Sequence, residues 1–213
     1  MRLSLDRSGF RYRPGQAAWL GIAGRPELVP YSIASAPGES DSGGHLEFLL
    51  KIEPDGWGPH LEGLRRGTRV TVRGPFGTFV FPTNPEERNF LFVAGGTGVA
   101  PLRSMVRHAL LTNQPGRLHF LYSARTPLDF AYAPELRRYA REGRLQLALT
   151  ATREAPPGWR AGRGRITPAR LMPLIDTPET LCFVCGPAAM VDEVPRMLRA
   201  RGVDPKRIRL EEW

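Results

Sequence analysis

The chain has 213 residues, 41% hydrophobic and 24% charged, enough for one large domain or two small ones and ordinary for a soluble globular protein. No apolar run reaches the length of a membrane span, and Met1-Arg2-Leu3-Ser4-Leu5-Asp6 lacks the apolar core of a signal peptide, so a cytoplasmic location is expected. Thirty basic residues against twenty-one acidic ones leave a net charge of +9, carried almost wholly by scattered arginines, which suits nucleotide phosphates or an acidic protein partner better than nucleic acid.

The first third reads as short strands divided by Gly/Pro turns. Leu3 and Leu5 alternate with polar residues, and Phe10, Tyr12 and Pro14-Gly15-Gln16 lead into a strand over Ala17 to Ile22. Pro30-Tyr31-Ser32-Ile33-Ala34-Ser35 follows, then a Gly/Ser-rich loop, then a strand over His45 to Ile52. Val70, Val72 and Gly74-Pro75-Phe76-Gly77 close the region, and Pro82, Asn84 and Pro85 suit a linker. The spacing predicts a small antiparallel barrel over residues 1–85, short at its N-terminus.

From Asn89 onward strands alternate with helices, which predicts an α/β doubly wound parallel sheet over residues 86–213. Strands are expected at Phe90 to Ala94, Leu118 to Ser123, Leu145 to Thr150, Leu181 to Val184 and Ile208 to Leu210. Helices are expected near Leu102 to Leu111, Pro134 to Arg141 and Pro168 to Leu174, with a last one running to about Ala200. In such sheets ligands sit beyond the carboxyl ends of the strands. Gly95-Gly96-Thr97-Gly98, Ser123 to Arg125, Thr150 to Arg153 and Cys185-Gly186-Pro187 all fall there and should line one rim. The glycines let backbone N–H groups approach a diphosphate at the start of a helix, with Pro101 fitting its first turn. Cys182 and Cys185 form a Cys-x-x-Cys, but residues three apart on a strand point to opposite faces and no second pair accompanies them, so neither a disulfide nor a metal site is expected.

Taken together, Tyr31-Ser32 within Pro-Tyr-Ser-Ile-Ala-Ser, Gly74-Pro75-Phe76-Gly77, Gly95-Gly96-Thr97-Gly98 with Pro101, and Cys185-Gly186-Pro187 resemble the ferredoxin–NADP reductase family of flavoproteins. The resemblance covers about Phe10 to Trp213 and implies a flavin-binding barrel before a nicotinamide-nucleotide domain. It implies FAD (or FMN) and NADPH or NADH as cofactors, and a ferredoxin, flavodoxin or oxygenase component as electron acceptor. Tyr31 would lie against the flavin ring, with Ser32 at its N5 edge and Ile33 beside them. Gly95, Gly96, Thr97 and Gly98 would hold the dinucleotide diphosphate, and Cys185, Gly186 and Pro187 would sit beside the nicotinamide. Glu211 would be a proton-handling carboxylate, and Trp213 would cover the nicotinamide side of the flavin. Arg125, Arg153, Arg163 and Arg165 occupy loops where relatives bind the adenosine 2′-phosphate, which favours NADPH slightly.

The chain departs from the family pattern twice. Val29 stands where the family has the arginine of Arg-x-Tyr-Ser, and Gly56-Trp57-Gly58-Pro59 replaces Gly-x-x-Ser. Both changes weaken binding of the flavin phosphates, beside which the resemblance still places Gly56 and Gly58, and Arg13, Arg25, Lys51 or His60 would compensate. A stand-alone reductase is the leading expectation; a nucleotide-binding or electron-transfer subunit that holds flavin weakly is the alternative.

Overall fold

A computed structural model describes residues 1–5, 9–39, 44–52, 59–154 and 156–212. Among the described residues the N-terminal part has the strands β1 (Arg2–Ser4), β2 (Ala17–Ile22), β3 (Val29–Ser32), β4 (His45–Glu47) and β5 (Val70–Phe76). All their pairings are antiparallel, in the orders β1-β4 and β3-β2-β5, and an Ile33–Phe48 bridge joins the two sheets. Inward alternation places Ala18, Leu20, Ile33, Leu46 and Phe48 around Tyr12 in one core. Among the described residues no pairing returns β5 to β1.

The remainder is built on β6 (Asn89–Gly95), β7 (Arg117–Ala124), β8 (Gln146–Ala151), β9 (Gly162–Arg163), β10 (Leu181–Gly186) and β11 (Ile208–Glu212). They form one parallel sheet in the order β11-β10-β6-β7-β8-β9. Among the described residues, these α-helices accompany it: α1 (Val99–Leu111), α2 (Ala133–Arg141), the single turn α3 (Pro168–Leu171) and α4 (Ala188–Ala200). Apolar side chains cover both faces of the strands, as a buried parallel sheet requires. One face packs Phe90, Phe92, Phe120 and Phe183 against Leu102 and Met105 of α1, and Phe79 and Phe81, from just before the linker, join that cluster. The opposite face packs Leu91, Val93, Cys182 and Val184 against Val194 and Leu198 of α4.

Two local expectations are corrected. The strand expected over residues 45–52 stops at Glu47. Leu49 packs into the sheet-face cluster and Leu50 into the barrel core, so the chain passes between two cores and leaves the ladder. The helix expected over Pro168 to Leu174 is one α-turn followed by a 3-10 turn over Met172–Leu174. Pro173 has no N–H to continue the α-helical ladder.

Candidate functional site

The sheet starts at β6; β7, β8 and β9 extend to one side of it, then β10 and β11 to the other. That reversal opens a crevice at the carboxyl ends of β6 and β10, where doubly wound sheets bind ligands. Gly95 ends β6 and Gly186 ends β10. A Cβ on Gly186 would lie 3.3 Å from the Gly95 Cα and 2.8 Å from Met190 Sδ. A Cβ on Gly95 would meet Met190 Cε at 2.7 Å and Pro187 Cδ at 2.9 Å. The two strand ends approach this closely because neither carries a side chain.

Gly96–Gly98 forms a 3-10 turn that runs directly into α1. Gly96 has φ of +53°, a conformation costly for other residues. Its carbonyl accepts a 3.0 Å hydrogen bond from the hydroxyl of Tyr122, which fixes the turn from β7. The first N–H groups of a helix have no intrahelical acceptor, so a turn held this way presents donors and a positive helix end to an anion. Beside it opens a cavity of about 360 Å³, lined by Gly95, Gly96, Arg125, Thr152, Arg165 and Met190 among others.

Of the four expected arginines, the cavity brings together Arg125 and Arg165, the latter 3.8 Å from Glu193, which also lines it. Arg153 and Arg163 do not line it; the Arg163 guanidinium donates to the Pro156 carbonyl at 3.4 Å. Tyr122, Met190 and Glu193 were not singled out by sequence reasoning. Met190 lies four residues past Gly186 on the first turn of α4, a spacing from which its place over the glycines could have been inferred.

Cys185 and Glu211 face each other across the β10–β11 pair, with Cys185 Sγ donating to Glu211 Oε2 at 3.7 Å. Burial pushes the Glu211 carboxyl up to about 7, against a smaller lowering by the thiol hydrogen bond. Burial, and then the Glu211 carboxylate, push the Cys185 thiol well above its ordinary range. This pair is neutral at moderately acid pH and can hold a proton near neutrality. In the unfolded chain Glu211 titrates near 4.5, so between there and about 7 the folded state binds more protons and stability falls as pH rises. Glu211→Gln should therefore gain stability relative to the parent on going from about pH 5 to about pH 8, measured by urea unfolding at both.

On the other side, Tyr31 and Ser32 end β3, half-buried. The Tyr31 hydroxyl is 2.8 Å from His60 Nε2, and the two rings stack with centroids 5.9 Å apart. His60 is thus engaged with Tyr31. Ile33 is fully buried in the barrel core and its N–H donates to the Gln16 carbonyl. Lys51 is exposed. Gly56, Gly58 and Trp213 lie outside the described residues. Val29 occupies β3 two residues before Tyr31. Both halves fit the groups the family binds: the side-chain-free cradle and cationic cavity suit a dinucleotide, and the fixed phenol suits a flat ring. Cys182 and Cys185 lie in opposite core clusters, both as free thiols.

Comparison with known proteins agrees with this geometry. Residues 1–81 match an oxidoreductase FAD-binding domain and residues 92–196 an oxidoreductase NAD-binding domain. The chain is 31% identical, over 96% of its length, to the reductase component of propane 2-monooxygenase from Rhodococcus jostii (strain RHA1). It spans about half the length of two such relatives, 56% of that one and 54% of a glycine betaine monooxygenase reductase subunit from Chromohalobacter salexigens. Among solved structures, the ferredoxin reductase in carbazole 1,9a-dioxygenase is 27% identical with a TM-score of 0.79, over 99% of this chain and 63% of that one. A ferredoxin–NADP⁺ reductase from Neisseria gonorrhoeae with bound FAD and NADP shares the fold at 19% identity and a TM-score of 0.76, over 99% of this chain and 90% of that one. The glycine cradle at the switch point, the Tyr31–Ser32 strand and both domain matches place this chain in the ferredoxin–NADP reductase-like family of FAD- and NAD(P)-binding flavoprotein reductases.

Proposed function

We propose that the chain is an NAD(P)H-dependent reductase whose bound FAD, when present, supplies the conversion of hydride from NAD(P)H into single electrons for a protein acceptor. The observation that carries this reading is the cradle at Gly95 and Gly186, opening into a cavity with Arg125 and Arg165 on its wall. The N–H groups of Gly96, Thr97 and Gly98 bind a diphosphate, and Arg125 and Arg165 bind a phosphate on the adenosine side, which favours NADPH. Cys185 and Pro187 shape the place of the nicotinamide, and Glu211 holds a proton beside it. Tyr31 is the apolar platform for the flavin ring, and the Ser32 hydroxyl holds a proton at its edge. The flavin-binding part extends over residues 1–85 and the nucleotide-binding part over 86–213, a division that fits matches ending at 81 and resuming at 92.

The acceptor is a ferredoxin, a flavodoxin or an oxygenase component; relatives named as monooxygenase reductase components support the last. A net charge of +9 suits an acidic partner surface. Among the described residues no helix is long and apolar enough to cross a membrane.

Visible absorption spectra, taken with and without added FAD and then under anaerobic NADPH or NADH, test the proposal. A yellow protein that bleaches supports it. Protein that takes up no flavin even from excess FAD overturns it and leaves a nucleotide-binding subunit, the reading that Val29 and Pro59 favour. Arg125→Ala should weaken NADPH binding about tenfold and leave NADH within about twofold, measured by fluorescence titration.

A further inference from the structure

One buried polar network remains outside the chemistry described above. Arg103 is 4% exposed and Ser104 is fully buried, both on α1. Arg103 Nη1 donates to the Ala34 carbonyl at 2.8 Å and to Glu47 Oε2 at 2.6 Å, while its Nε donates to Glu135 Oε2 at 2.8 Å. Its guanidinium lies 4.2 Å from the centre of the Tyr132 ring. Ser104 Oγ donates to the Ser35 carbonyl at 2.6 Å, and the Tyr12 hydroxyl donates to the same carbonyl at 2.9 Å. Arg107, one turn on, pairs with Glu135 at 2.6 Å and with Glu39.

The acceptors are the point of interest. Ala34 and Ser35 directly follow Tyr31-Ser32-Ile33, and the donors sit on the helix whose N-terminus is the Gly96–Gly98 turn. Six residues of helix, about 9 Å, separate Gly98 from Ser104. One stiff element therefore connects the phosphate cradle to the backbone just beyond the flavin platform. An interface that only needed stability would be better served by apolar packing, because a buried ion cluster loses much of its Coulomb energy to desolvation. A forked guanidinium with fixed acceptors on three segments instead admits one arrangement.

We propose that Arg103 and Ser104 are positioning residues that set the separation and angle between the flavin-binding and nucleotide-binding halves, and so the approach of nicotinamide to flavin. The inference rests on the proposed reading of those halves. Hydride transfer requires reacting atoms within about 3 to 3.5 Å, so a small loosening costs rate without costing affinity.

The test uses the full chain with spin labels on Arg69→Cys and Arg137→Cys, both exposed and one in each half. Ser104→Ala and Arg103→Lys are introduced separately, the first removing one hydrogen bond and the second keeping the charge without the fork. The inter-label distance distribution, measured by pulsed electron spin resonance without any cofactor, should at least double in width in each variant. With FAD bound, reduction at saturating NADPH should slow about tenfold while the nucleotide Kd stays within about twofold. Unchanged widths in both variants overturn the inference, as does a broadened distribution with an undiminished rate. A parent protein that neither nucleotide reduces would sink the reductase reading, while the distance measurement would still decide whether Arg103 and Ser104 set the arrangement.

Discussion

Gly95→Ala should weaken nucleotide binding about 10- to 100-fold, with a loss of about 1 to 3 kcal/mol in folding stability. Gly95 has φ of −120° and ψ of 122°, an extended conformation that alanine adopts freely, so the backbone contributes nothing to the cost. The penalty is contact alone. A methyl group there would lie 2.7 Å from Met190 Cε and 2.9 Å from Pro187 Cδ. The methionine can swing away but the proline ring cannot, so β6 and β10 must part or the Met190 side chain must move. Met190 also lines the cavity, and its displacement therefore fills space the dinucleotide would use. Calorimetric titration with NADP⁺, alongside urea unfolding, measures both effects. Adding Met190→Ala should restore part of the affinity, and that coupling distinguishes steric displacement from a general disturbance of the turn.

Phe183→Ala should cost about 3 to 5 kcal/mol of folding stability, a large share of what a protein of this size usually has. Phe183 is fully buried on β10. Its ring stacks on Phe92 at 5.5 Å and on Phe81 at 5.7 Å, and meets Phe79 edge-on at 5.9 Å. Removing it empties the centre of an aromatic cluster that has few ways to collapse. Phe79 and Phe81 precede the linker while Phe92 and Phe183 lie in the parallel sheet, so the cluster spans both parts of the chain. The parent protein should accordingly unfold in one cooperative calorimetric transition. Two separated transitions would show that the parts unfold independently of these contacts.

What was legible in the sequence was local. The strand, glycine turn and helix at Phe90 to Leu111 could be read because hydrophobic period and turn chemistry sit in neighbouring residues. The opposite facing of Cys182 and Cys185 followed from the two-residue repeat of a strand in the same way. Partners distant in sequence were not legible. Arg103 meets Glu47, 56 positions away, and Ala34, 69 positions away, and nothing local distinguishes it from the other arginines of the chain. The Tyr122 hydrogen bond to the Gly96 carbonyl needs β6 and β7 to be neighbours, which strand alternation alone does not specify. His60 could be named only as one of several compensating cations, because its place beside Tyr31 depends on how the segment after Pro59 returns to β3.

The two cysteines have a practical consequence for anyone handling the protein. Cys182 is fully buried and Cys185 2% exposed, and burial pushes the Cys182 thiol up to about 12 and that of Cys185 higher still. Alkylating reagents and peroxide attack the thiolate, which neither residue forms in the folded state at ordinary pH. The native chain should give no rapid reaction with an aromatic disulfide reagent until denaturant is added. Maleimide dyes or biotin tags can then be attached at one introduced surface cysteine without first removing the natural pair, and storage without reducing agent should not inactivate the protein through these sulfurs.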